Sequence, residues 1–197
     1  MDRNILMIIA PERFRDEELI VPKGVFQSQG WAVDVVSTQV GDAIGMFGAT
    51  EPVEHTIADS LAADACNKYD ALVIVGGQGC PDHLCANPDL HGLAVSFQQK
   101  GRVIGAICIA GVTLAKAGLL NATKATVWEC PESLAAYQEA GAIYTGDPVT
   151  ADNLIITGNG PAAAEEFARA VAQAVRTTLP CKESKGKESQ ACATATL

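Results

Sequence analysis

Gly101-Arg-Val-Ile-Gly-Ala-Ile-Cys-Ile-Ala-Gly-Val-Thr-Leu-Ala-Lys-Ala-Gly-Leu-Leu120 changes character at its middle. Val103 to Ile107 is a short apolar run of the kind a buried parallel strand needs. The Ala/Leu-rich continuation, with Gly118 near its end, reads as a short helix. Cys108 stands at the changeover among the small residues Gly105, Ala106, Ala110 and Gly111. A cysteine on the first turn of a helix meets unpaired backbone N–H groups and the positive end of the helix dipole, and both favour thiolate. The placement resembles a nucleophile elbow in geometry, without the Gly-x-Ser-x-Gly residues. Cys108 is the candidate reactive group.

The same strand-then-helix rhythm recurs along the 197 residues. Asn4–Ala10 reads as a first strand, and Glu17–Gln29 as a helix interrupted by Pro22. Trp31–Ser37 reads as a second strand, Ile44–Ile57 as a hairpin or edge segment, and helix-like sequence follows through Asn67. Ala71–Val75 is a compact apolar strand running into Gly76-Gly77-Gln78-Gly79, and Pro88–Gln99 is helical. Ala125–Trp128 reads as a strand, and Pro131–Ala140 as a helix with proline at its first position and Gly141 as its stop. Asn153–Thr157 is the last strand. In Ala162–Arg176, Phe167, Val171, Ala174 and Val175 share one face, opposite Glu165, Glu166, Arg169 and Gln173. Such alternation predicts a three-layer α/β/α sandwich around a mostly parallel, flavodoxin-like sheet.

The length suits one domain, read as residues 1–178, and residues 179–197 read as a polar, flexible tail. Hydrophobic residues make up 48% and aromatics only 5%, so the core is aliphatic. A net charge of −9 with no basic stripe argues against nucleic-acid binding. The apolar run Ile5 to Ala10 is too short to span a membrane and lacks a secretory cleavage pattern, which points to the cytoplasm. Seven cysteines, an odd number without a leader, do not read as a disulfide framework. Cys80, His83 and Cys85 have a metal-like spacing, but no second half accompanies it and Pro81 stiffens the loop. The reading calls for no metal and no cofactor.

In a parallel sheet, ligands bind beyond the carboxyl ends of the strands. Four loops must meet there: Pro11–Glu18, Gly76–Cys80, Ile107–Ala110 and the segment after Val127. Asp16 and Glu17 read as a solvated acidic helix start, whereas Glu18 precedes Pro22 by four residues, which leaves its carbonyl without a helical donor. A carboxyl beside a buried thiol cannot share ionisation with it. Glu18 is therefore expected raised and Cys108 lowered, a neutral acid donating to a thiolate. The amides of Gly76 and Gly77, with that of Cys108, are candidates for an oxyanion hole.

Five segments in this order resemble the ThiJ/PfpI superfamily (the DJ-one family), within the class I glutamine amidotransferase-like fold. They are Glu18-Leu-Ile-Val-Pro22, Tyr69-Asp-Ala-Leu-Val-Ile-Val-Gly-Gly77, Gly105-Ala-Ile-Cys-Ile-Ala-Gly111, Ala117-Gly-Leu-Leu120 and Ile155-Ile-Thr-Gly-Asn-Gly-Pro161. The resemblance implies that Cys108 matches the family's oxidisable nucleophile, Glu18 its partner acid and Gly77 part of the pocket. It also implies a homodimer.

This chain departs from the family in its histidines. Peptidase-like members carry histidine after the cysteine, where this chain has Ile109, and glyoxalase-like members carry one after the strand matching Ala125–Val127. His55, His83 and His91 fall in no matching motif. Glu129 is the candidate substitute base, Cys130 a candidate resolving thiol and Trp128 a candidate pocket wall. Two function classes follow. One is a cysteine enzyme acting on a small electrophile, by lyase, hydratase or glyoxalase-like chemistry, with a peptidase or amidase as the less favoured variant. The other is an oxidative-stress protein whose Cys108 senses an oxidant.

Overall fold

Successive residues of the strand Asn4–Ile8 (β1) alternate between two cores: Ile5 and Met7 enter one, Leu6 and Ile8 the other. Two further strands are divided likewise, with Val73, Val103 and Ile107 on the first side and Leu72, Ile74, Ile104 and Ala106 on the second. An apolar run with no polar face thus becomes a strand buried on both sides. The computed structural model describes residues 3–178, so the expected tail lies outside the described residues.

Short strands follow at Glu12–Phe14 (β2), Ala32–Val36 (β3), Gly41–Gly45 (β4), Thr50–Val53 (β5) and Ala71–Ile74 (β6). The later strands are Val103–Ile107 (β7), Lys124–Ala125 (β8), Ile143–Tyr144 (β9), Val149–Asp152 (β10) and Ile155–Gly158 (β11). The main sheet runs β10-β11-β7-β6-β1-β3, parallel except for the β10 edge. Helices cover both faces. Asp16–Ser28 (α1) and Ala164–Thr177 (α7) lie on one, and Ile57–Ala62 (α2), Pro88–Gln99 (α4), Gly111–Lys116 (α5) and Pro131–Glu139 (α6) on the other. A single-turn helix, Cys80–His83 (α3), sits between β6 and α4. The three-layer, mostly parallel architecture expected from the alternation is present.

Close packing on β7 explains a sequence detail. A Cβ on Gly105 would stand 2.9 Å from Phe167 Cζ and 3.1 Å from Val171 Cγ2, so α7 lies against bare backbone there. At the other end of the sheet, Arg3 and Asp70 form a buried ion pair at 2.9 Å. Asp70 also accepts the Asn4 amide at 3.0 Å, tying the start of β1 to that of β6.

Three expectations need correction, and two strands went unread. Pro22 does not interrupt α1, which runs unbroken from Asp16 to Ser28. The proline ring and Phe26 are buried on a helix packed against α7, and that packing offsets the lost hydrogen bond. Ala125–Trp128 is not a strand of the main sheet. Only Lys124–Ala125 pairs, with Ile143–Tyr144, and the Thr126 amide donates instead to Thr157 Oγ1 at 2.8 Å. The edge strand β10 and the short β2, which joins the β4–β5 hairpin, lacked a readable apolar period. Asp16 is buried rather than solvated, and its carboxylate accepts the amides of Phe47 at 3.0 Å and Ala49 at 2.8 Å.

Candidate active site

The four loops converge as the topology requires, around a cavity of about 410 Å³ at the carboxyl end of the sheet. Arg15 and Glu18 come from the first loop, Gly77, Gln78 and Pro81 from the second, Cys108 and Ile109 from the third, and Trp128 from the fourth. Met46 and Pro161 complete the lining. Neither was read as a pocket residue from the sequence: Met46 carries no motif, Pro161 only ends a family segment, and each arrives from a distant hairpin or turn.

Cys108 follows β7 directly. Ile107 is still extended at φ −120°, and Cys108 turns to φ +60°, opening a 3-10 turn that spans Cys108–Ala110. A side chain in this left-handed region is strained by roughly 1–2 kcal/mol. The sharp reversal leaves the thiol partly exposed at the cavity floor, although its neighbours Ile107 and Ala110 are fully buried. The elbow resemblance is therefore real in geometry.

Glu18 reaches the same point from the first turn of α1 and is fully buried. Its Oε2 accepts the Gly76 amide at 3.0 Å, its buried Oε1 takes no other hydrogen bond, and the carboxyl lies beside the Cys108 thiol, close enough for the two to share a proton. Gly76 makes this approach possible: a Cβ there would lie 2.7 Å from Glu18 Oε2 and 2.7 Å from Cys108 Cβ.

The charges differ from expectation. Burial pushes the Glu18 carboxyl up from 4.5 to about 7, against the bonds it receives from Cys108 and Gly76. Burial also pushes the Cys108 thiol up to about 12, and the Glu18 charge adds to that, while the Ile109 and Gly77 amides pull it down. The expected lowering of Cys108 is corrected for two reasons. The sulfur is desolvated, and the α-helix proper begins only at Gly111, past the 3-10 turn. The thiol donates, and the carboxylate accepts. Near neutrality the pair sheds one proton, that of Glu18, and the remaining one lies between sulfur and oxygen.

Other expected site residues are placed as follows. The Gly76 amide is taken by Glu18 and cannot serve an oxyanion hole, whereas the Gly77 and Ile109 amides face the Cys108 sulfur. Glu129 is exposed and lines an adjoining cavity with Tyr144 and Asn159, outside the one that holds Cys108. Cys130 also lies outside that lining. It precedes Pro131 at the start of α6, with its sulfur 3.4 Å from Ser133 Oγ. Trp128, half exposed, is a wall shared by both cavities. None of the three histidines lines the Cys108 cavity: His83 faces Glu12 at 3.4 Å and His91 meets the Cys85 carbonyl at 3.1 Å. Cys80 and His83 therefore diverge, and the metal-like spacing does not close into a ligand set.

A parallel α/β sandwich with a strained cysteine at the end of a central strand, facing a buried glutamate, defines the class. The chain belongs to the DJ-1/PfpI family, whose model matches residues 3–174. An uncharacterized protein of Methanocaldococcus jannaschii is 44% identical over 171 residues, covering 87% of this chain and 82% of that one. The glutathione-independent glyoxalase DJR-1.2 of Caenorhabditis elegans is 27% identical over 172 residues, covering 84% and 85%. Among solved structures, a ThiJ/PfpI domain protein from Brachyspira murdochii superposes with a TM-score of 0.83 at 27% identity, covering 89% of this chain and 98% of that one.

Proposed function

We propose that the protein is a cysteine-dependent enzyme acting on a small reactive carbonyl compound, an aldehyde or a dicarbonyl. The observation that carries this reading is the contact between the Cys108 thiol and the buried Glu18 carboxyl on the floor of the cavity. In it, ionised Glu18 takes the Cys108 proton as the sulfur attacks the carbonyl carbon. A C–S bond forms, the carbonyl π pair moves to oxygen, and Glu18 returns its proton there to give a hemithioacetal. For a dicarbonyl, Glu18 next carries a proton from the sulfur-bearing carbon to its neighbour while the hydroxyl proton of the first carbon passes to the neighbour's oxygen, which yields a thioester on Cys108. Water cleaves that C–S bond and releases a hydroxy acid, so the net reaction adds one water.

Glu18 is the sole carboxyl among the lining residues, and both proton transfers fall to it. That removes the need for the absent histidine. The name of the worm glyoxalase supports the substrate class. Peptide hydrolysis is less well served, because the leaving amine needs an acid and no second titrating group beyond Cys108 and Arg15 lines the cavity.

The five described cysteines are free thiols, which suits a cytoplasmic setting. No helix among the described residues is long and apolar enough to cross a membrane. A homodimer is part of the same reading. Phe47, 66% exposed, stacks under the cavity residue Arg15, and Ile20 on α1 is 56% exposed, so apolar surface borders the site.

The test is methylglyoxal consumption by the intact protein and by Cys108→Ser. Turnover by the parent and at least a 100-fold loss in the variant is expected. No turnover by the parent, with one or more oxygen atoms added to Cys108 by equimolar peroxide, would instead leave the oxidant-sensing reading.

A further inference from the structure

Beside the cavity lies a pair of thiols outside its lining. Cys80 opens α3 and Cys85 follows it, both buried, with their sulfurs 3.6 Å apart. The Cys85 amide donates to the Cys80 carbonyl at 3.0 Å. Bond lengths then limit the two Cα atoms to a separation of about 7 Å, at the edge of or within the span of a disulfide. Closing the bond requires the sulfurs to approach by roughly 1.5 Å, a shift that one χ1 adjustment on a one-turn helix supplies.

We infer that Cys80 and Cys85 form a redox site separate from Cys108, closing to a disulfide when hydrogen peroxide takes two electrons from them.

Cys85 is the attacking sulfur. The two sulfurs share a hydrogen bond that either can donate, and Thr113, whose buried hydroxyl has no other partner to satisfy it, lies beside Cys85. These donors and the Lys116 charge hold Cys85 below the usual thiol range, while Cys80 is raised. The sulfur of Cys85 attacks one peroxide oxygen, the O–O bond breaks, and the leaving hydroxide takes a proton to become water. Cys80 then attacks the sulfenic sulfur, the S–O bond breaks, and a second water leaves with the Cys80 proton. Two thiols are oxidised, and one peroxide becomes two waters. Access requires the single turn of α3 to open away from the two buried sulfurs.

The pair is joined to both walls of the cavity. Cys85 Sγ lies 3.9 Å from the Ile109 carbonyl, and Pro81, next to Cys80, is a lining residue.

The experiment uses full-length Cys108→Ser, reduced, freed of reductant and titrated with hydrogen peroxide. Residues 69–100 form one tryptic peptide, and Cys80 and Cys85 are its only cysteines. After denaturing alkylation this peptide is expected to lose the mass of two hydrogens and take up no alkyl group, and dithiothreitol should reverse both. Cys85→Ser in the same background must abolish the change. If that variant misfolds by circular dichroism, the dithiothreitol reversal and fragment ions locating the bridge between residues 80 and 85 decide the matter. Two alkylated cysteines in the peptide, at a peroxide dose that fully oxidises Cys108 in the parent, would overturn the inference. So would added oxygen in place of the lost hydrogens, or a bridge to any other cysteine.

Discussion

Gly76 gives its amide to Glu18 Oε2 at 3.0 Å and leaves no room for a side chain between that oxygen and Cys108. One residue thereby sets both the hydrogen bonding and the spacing of the thiol–carboxyl pair. A methyl group at 2.7 Å from two neighbours must displace one of them. Gly76→Ala is expected to cost roughly 1–3 kcal/mol in urea unfolding and to slow Cys108 alkylation by iodoacetamide more than tenfold. A variant with parental stability and parental alkylation would show the pair tolerates being spread.

Glu18→Gln separates charge from shape. In the parent, alkylation of Cys108 should rise through an inflection near pH 7, where Glu18 becomes able to take the thiol proton, and then level off. In the variant the Glu18 charge that helps hold the thiol up is gone, and the amide of the glutamine can donate to a thiolate. Its thiol should titrate below about 12, with a rate that climbs steadily with pH and has no inflection near neutrality. Overlaying profiles would refute the coupling.

The same shift reaches stability. Glu18 is raised from 4.5 to about 7, so the folded state holds its proton more tightly than the unfolded chain. That contribution is complete below the unfolded value and lost as pH rises through the folded one. The parent should lose on the order of 3 kcal/mol relative to Glu18→Gln between pH 4.5 and pH 7.5, read from paired urea titrations.

Asp70→Ala leaves the Arg3 guanidinium, 4% exposed, without its ion-pair partner, and also removes the acceptor of the Asn4 amide. A loss of about 3–5 kcal/mol is expected from chemical denaturation. Cys108 alkylation of the folded fraction should be unchanged, since this pair sits at the opposite end of the strands.

Phe47→Glu places a carboxylate on the apolar border of the site. Light scattering after gel filtration should show the parent as a dimer and the variant as a monomer. Equal masses for both would remove Phe47 from any interface.

Much of this was legible in the chain. The run Val103 to Ile107 had no polar face, so it had to be buried on two sides, and the glycines after Val75 and the turn at Cys108 had to share one end of the sheet. The amphipathic period of α7 was equally plain. Asp16 was misread because an acidic helix start looks solvated until a distant hairpin supplies amides to its carboxylate. Met46 carried no signal and Pro161 only closed a family segment, since a lining residue of ordinary chemistry is defined only by where the chain brings it.

Local pattern, then, determined the layers, the strand order's general sense and the meeting of Glu18 with Cys108, because burial and chain direction follow from periodicity. Tertiary structure alone decided the protonation of that pair. Desolvation depends on every atom packed around a group, and here it outweighed the backbone amides that the sequence had suggested would ionise the sulfur. It also decided the neighbours of three further thiols. Cys130 went to a helix start, whereas Cys80 and Cys85 were brought face to face by a single turn of α3.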